Sequence, residues 1–130
     1  MPVLKFDAES TLLKLKRLAR AYAASGKAGW LDRIDWEAIP VDFPASLPAD
    51  ILGMYAFGRI RLRQSLSVHA IFPTYIHELR HRWQWKTTPI KYLLGKIFRS
   101  PIEADAVTQE VRARTWIEDP RTIAALRHLD

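Results

Sequence analysis

The run Tyr75-Ile76-His77-Glu78-Leu79-Arg80-His81 carries the densest chemistry in the chain. It reads His-Glu-x-x-His, a spacing that has a mechanical meaning on a helix. Side chains four apart share one face, so His77 and His81 can each turn an imidazole nitrogen toward one ion. Zinc takes such nitrogens at about 2.0–2.1 Å in tetrahedral geometry. Glu78 comes about a third of a turn after His77. Its carboxylate then lies beside the ion rather than on it, suited to accept a proton from a metal-activated water. The same residues also fit a charged surface helix bearing two ordinary histidines, so the rest of the chain must decide.

Two histidines leave a catalytic zinc one protein ligand short. The chain has no cysteine, so the third must be an imidazole or a carboxylate. The candidates are His69, His128, Glu103, Asp105 and Glu110. Ser100-Pro101 reads as a helix start, with serine as cap and proline in the first position. Glu103 falls in the first turn of that helix, and the small Ala104 and Ala106 allow the helix to approach the histidine helix closely. Asp105 is an alternative ligand from the same turn. His69 sits in a connector where no spacing fixes its role, and His128 reads as a surface residue of a terminal helix.

With Glu103 following His81 by 22 residues, the pattern resembles the zincin metallopeptidases of the gluzincin type. The phrase Pro101-x-Glu103-x-Asp105-Ala106 looks like the helix start of many small bacterial and phage zincin-like domains. The resemblance covers residues 52–112. It implies zinc as cofactor, His77, His81 and Glu103 as ligands, Glu78 as general base and a peptide or protein substrate. It also implies that the strand Arg59 to Arg63 is the edge that aligns substrate. One departure stands out. The best-known gluzincins carry an aspartate four residues after the glutamate ligand, supporting a ligand histidine, and here that position is Val107. Asp105 or Glu110 is left to play that part. For the oxyanion, Tyr92, His69 and Tyr75 are the nearby candidates, Tyr92 first among them.

These side chains need elements to hold them. The motif helix is expected over 73–86, opened by Pro73 with Phe72 extended before it and closed by Thr87-Thr88-Pro89. Ile76, Leu79 and Trp83 share a face away from the histidines, so one side can enter a core while the other lines a cleft. Upstream, Leu12, Leu15, Leu18, Ala19 and Tyr22 mark an amphipathic helix over 8–25, with Asp7 or Ser10 as cap and Gly26 as stop. Residues 29–39 suggest a short helix, and Pro40, Pro44 and Pro48 an extended connection. Strands are expected over 51–55 and 59–63. In the second, Arg59, Arg61 and Arg63 alternate with Ile60 and Leu62, and its arginines suit a sheet edge. Ile90, Tyr92, Leu93 and Leu94, up to Gly95, suggest a short helical or loop segment against the core. A helix over 101–117 with Ile102, Ala106, Val107, Val111 and Ile117 as apolar positions follows, then a last helix from Asp119-Pro120 with Ile123, Leu126 and Leu129. The expected fold is α+β: one domain over 1–130, with a small mixed sheet packed against the histidine helix and flanking helices.

Composition sets outer bounds. A hydrophobic content of 48% with five Trp suits a packed core rather than disorder. The N-terminus lacks the apolar run of a signal peptide, and no stretch is long enough to span a membrane. Absence of cysteine fits a cytoplasmic protein. The net charge of +6 is spread along the chain, with a small cluster at Arg80, Arg82, Lys86 and Lys91. It reads first as a basic solvated surface, and second as a nucleic-acid or acidic-partner surface. Three functions follow as expectations: a zinc peptidase, a non-catalytic zinc-binding structural or partner-binding domain, and a nucleic-acid-associated protein.

Overall fold

The computed structural model describes residues 5–98 and 100–127, the side chains of 94–98 and 100 excepted. The expectations for Leu94, for Ser100 as a cap, for His128 and for Leu129 therefore lie outside the described residues. The elements are α1 (Ala8–Ala24), two 3-10 turns (Gly29–Arg33 and Trp36–Ala38), β1 (Val41–Asp42), β2 (Gly53–Ala56), β3 (Arg59–Leu62), α2 (Val68–Thr87), α3 (Pro89–Phe98), α4 (Ser100–Glu118) and α5 (Pro120–Leu126). The fold is α+β, with a small mixed sheet and five helices among the described residues. No helix among them is long and apolar enough to cross a membrane.

α1 starts and stops where its chemistry dictates. Asp7 Oδ1 accepts from the Ser10 N–H at 3.1 Å, and Gly26 takes the left-handed φ of +83° that ends the helix. Leu15, Leu18, Ala19 and Tyr22 are buried, and α1 packs on α2. The helix expected over 29–39 is instead two 3-10 turns with Ile34 extended between them, and it buries Leu31 and Trp36.

The sheet order is β1-β3-β2, with β3 parallel to β1 and antiparallel to β2. β3 alternates as expected: Ile60 and Leu62 are fully buried, while Arg59 and Arg61 face out. Its place is the middle of the sheet, however, not the edge. Alternating charge reports that one face meets water, and a central strand's outer face meets water as fully as an edge strand's does. β1 comes from the proline-punctuated stretch read as irregular. Pro40 has no N–H to pair, but it stands just ahead of β1 and contributes its carbonyl, which accepts from the Ile60 N–H at 2.9 Å. Arg63, past the end of β3, donates to the carbonyls of Pro48, Ala49 and Ile51 and closes the loop ahead of β2.

α2 begins five residues before Pro73. Ser67 is its cap, accepting from the Ala70 N–H at 3.2 Å. Phe72 is helical rather than extended, and Pro73 is buried inside the helix. The missing N–H of Pro73 deprives only the carbonyl of His69, an exposed residue that water can reach. Ile76 and Leu79 are fully buried as expected, and Trp83 half-buried. At the other end, Thr87 Oγ1 and Thr88 Oγ1 donate to the carbonyls of Trp83 and Gln84, and Pro89 opens α3. Tyr92 of α3 is buried, but Ile90 and Leu93 are exposed.

α4 lies along α2 more extensively than any other element does. The two run antiparallel: His77 meets Glu110, while Gln84, farther along α2, meets Ile102 and Asp105. Ile102, Ala106, Ala113, Trp116 and Ile117 form the buried side of α4. Val107 and Val111, expected to be core residues, are exposed. Ala104 is exposed too, so the close approach rests on Ala106 and Ala113. In α5, Leu126 is buried and Ile123 exposed.

β2 is held against α2 by the absence of a side chain. A Cβ on Gly53 would lie 2.7 Å from Thr74 Cγ2 and 3.0 Å from Leu62 Cδ2. Gly53→Ala is expected to cost about 1–3 kcal/mol by overpacking. Adding Thr74→Ser, which removes the nearer methyl, should recover a large part of the loss. Urea unfolding of the single and double variants measures both; a Gly53→Ala protein as stable as the parent would mean that the strand stands off the helix.

Candidate metal centre

The middle of α2 delivers two imidazoles to one place. The His77 and His81 rings lie 5.0 Å apart, centroid to centroid. The antiparallel crossing brings the first turn of α4 to the same point. His77 Nε2 is 3.4 Å from Glu103 Oε2, and His81 Nε2 is 2.8 Å from Glu103 Oε1. One donor atom from each of the three lies within 4.8 Å of the others, so His77, His81 and Glu103 could hold a metal ion. The histidine side chains are 14% and 8% exposed and that of Glu103 52%, so the cluster opens toward solvent on the carboxylate side.

The far nitrogen of each ring is anchored. His77 Nδ1 lies 2.7 Å from Glu110 Oε1, and His81 Nδ1 lies 2.9 Å from Gln84 Oε1. A carboxylate and an amide oxygen only accept, so each Nδ1 donates, the arrangement that leaves Nε2 as the nitrogen to bind a metal. Both Nε2 atoms face Glu103, whose carboxylate stands where an ion would be shared. Burial pulls the His81 pKa below its ordinary value, against the opposite pull of Gln84 and Glu103. Glu110 stands where the sequence left a gap at Val107: seven residues beyond Glu103 is two turns of helix, the same face. It also accepts from Arg114 Nη2 at 3.0 Å.

Gln84 extends the support to a second layer. Its Nε2 donates to the Ile102 carbonyl and to Asp105 Oδ2, each at 2.9 Å. Asp105 also receives Arg80 through Nε at 2.6 Å and Nη2 at 3.1 Å. Its oxygens are thus engaged by Arg80 and Gln84, and Asp105 stands outside the convergent group it was weighed for as an alternative ligand. Burial pushes its carboxyl up, and the hydrogen bonds from Arg80 and Gln84 more than reverse that, leaving the pKa below the ordinary value. The Arg80 guanidinium is 3.7 Å from the Trp83 ring centre and 5.0 Å from that of Trp30. Gln84 and Arg80 were not singled out as site residues from the sequence. The signal for Gln84 was available: it lies three residues after His81, on the same helix face.

Glu78 is 4% exposed. Burial first, then the carboxylates of Glu103 and Glu110, push its carboxyl up to about 8. It lines a cleft of about 250 Å³ together with Leu52, Gly53, Thr74, His77 and Glu110. The strand beside this cleft is β2, whose outer edge pairs with no strand among the described residues. Tyr92 packs its ring against His81 at 6.1 Å, and burial, with Tyr55, Glu78 and Glu103 nearby, pushes its hydroxyl up to about 12. His69 is exposed on the first turn of α2, about 12 Å along the axis from His77. Tyr75 is fully buried.

No family model matches the chain, and neither a curated protein nor a solved structure does. The geometry therefore has to speak for itself. The donor set, two imidazoles and one carboxylate with both rings oriented from behind, could hold a borderline divalent ion such as zinc.

The support layer predicts a stability effect that separates charge from shape. Arg80→Ala should lower stability by about 1–3 kcal/mol through the lost Asp105 pair and ring contacts. Arg80→Lys should recover less than half of that, because an ammonium neither forks onto a carboxylate nor stacks flat on indole. Denaturant midpoints of the three proteins decide; equal stability of the lysine variant would show that charge alone suffices.

Proposed function

We propose that the chain is a zinc-dependent metallopeptidase of zincin type. The observation that carries the reading is the convergence of His77 Nε2, His81 Nε2 and the Glu103 carboxylate, with both histidines anchored through Nδ1. Zinc, when bound, supplies a Lewis acid that polarises a carbonyl and eases loss of a proton from water. The chain's own residues supply the rest. Glu78 faces the cleft beside the cluster, and its carboxylate accepts the proton of the attacking water. The same oxygen then delivers that proton to the leaving amine nitrogen. An extended peptide is aligned by backbone hydrogen bonds along the open edge of β2, the role first assigned to β3. Tyr92, next to His81, is the residue nearest to an oxyanion role. The lack of cysteine suits a reducing compartment, the cytoplasm.

The second reading is a zinc-stabilised domain without turnover, and the small cleft of about 250 Å³ favours it. Two variants separate the readings. Glu78→Gln should retain one zinc per chain and the parent melting temperature while hydrolysis of a peptide library falls about 10²–10⁴-fold. Undiminished cleavage by that variant refutes the assigned base. Glu110→Ala should weaken zinc binding about 10–100-fold in a chelator competition titration, because it frees the His77 ring to turn. A wild-type protein that binds zinc, loses much of its melting temperature on chelation and cleaves nothing is the second reading.

A further inference from the structure

The β2–β3 hairpin turns through two residues, Phe57 and Gly58, with φ of +54° and +73°. Two consecutive positive φ values are the geometry for which Asn-Gly is preferred, since these residues accept it most easily. Gly58 meets that demand and Phe57 does not. Burial gives nothing back, because Phe57 is 106% exposed. The turn would form more readily with asparagine, and no packing inside the chain accounts for the ring.

The surroundings of the ring say what kind of contact. Phe57 separates two clefts. One, of about 340 Å³, lies toward Met54, Arg59 and Arg61 on the outward face of the sheet. The other, of about 460 Å³, is bounded by Trp85, Tyr55, Tyr92 and Arg82. Phe57 and Trp85 are thus two partly or wholly exposed rings bordering one slot. The Arg82 Nη1 lies close enough to the turn to be 3.5 Å from a Cβ built on Gly58. Asp42 pairs with Arg59 and Asp35 with Arg82, and Asp35 also feels the charge of Lys86. Arg61 and Lys86 make no ion pair of their own among the described residues, so each can meet an anion.

Flat rings beside an excess of cations suit a ligand that offers both flat faces and negative charge. We propose that the hairpin tip, with the last turns of α2, forms a binding surface for single-stranded nucleic acid. Bases stack on Phe57 and Trp85, and phosphates meet Arg61 and Lys86. A duplex keeps its base faces covered by one another and cannot offer them to Phe57. An anionic membrane is the competing occupant, since Met54, Trp85 and Leu93 are also exposed around Phe57, and the vesicle arm of the test separates the two. The surface does not depend on the metal reading, and it can be tested with chelator present.

The test is fluorescence anisotropy of a labelled 20-nucleotide oligo-dT and of a duplex of equal length, with the full chain at low salt. The wild type should bind the single strand at least tenfold more tightly than the duplex. Phe57→Asn should melt at the parent temperature or higher, yet bind the single strand about tenfold more weakly or worse. Arg61→Ala should lower the salt dependence by about 0.7 in the log–log slope. Sedimentation with phosphatidylserine vesicles runs alongside. No binding to the oligonucleotide, equal binding of both forms, undiminished binding by Phe57→Asn, or Phe57-dependent binding to vesicles alone would each overturn the proposal.

Discussion

α2 is buried along most of its length yet carries polar groups inside, and this tension sets the rest of the structure. Glu78, His81 and Gln84 are almost inaccessible to water. A polar group buried without a partner costs more than a hydrogen bond returns. α4 therefore cannot slide along α2. Its register is fixed by the bonds from Gln84 to Ile102 and Asp105 and from His77 to Glu110. Shifting one helix by a residue would break all three contacts at once.

From that register the convergence of His77, His81 and Glu103 follows. Glu103 and Glu110 sit two turns apart on one face of α4, so one reaches the near nitrogens and the other the far nitrogen of His77. Asp105, about 200° round the helix from Glu103, turns instead to Gln84 and Arg80. Three acidic residues within eight positions thus do different work because the helix points them in different directions. Glu78 is buried on α2 and faces the cleft, and no hydrogen bond from a described residue holds its carboxyl. A buried carboxyl next to two others is the feature on which the proposed general-base role of Glu78 rests.

The sheet serves the helix more than the reverse. With strands of two, four and four residues, the sheet depends on packing against α2. Gly53 lets β2 sit directly on Thr74, and Ile60 and Leu62 pack beneath. The outward face is left with Met54, Arg59 and Arg61, continuous with the exposed Phe57 at the turn. The inner side of the sheet gives α2 its seat, while the outer side and tip form a basic, aromatic surface.

Local patterns were legible from the residues alone. The helical spacing of α1, the alternation of β3, the end of α2 at Thr87-Thr88-Pro89 and the His77–His81 face all depend on neighbours within a few positions. The α+β class followed from them. Nearby sterics also misled: Pro73 was read as a helix start, although Ser67 supplies a better cap and water excuses the lost bond at His69. What tertiary packing decided was everything set by distant partners. Strand order put β3 in the centre, because β1, from a proline-rich stretch, pairs with it across 19 positions at Val41 and Ile60. The antiparallel approach of α4 chose Glu110 over Asp105 to hold His77 and drew in Gln84 and Arg80. It exposed Val107 and Val111, which are apolar in sequence but face away from the contact. Periodicity states which side chains share a face; only packing states which face is covered, and by what.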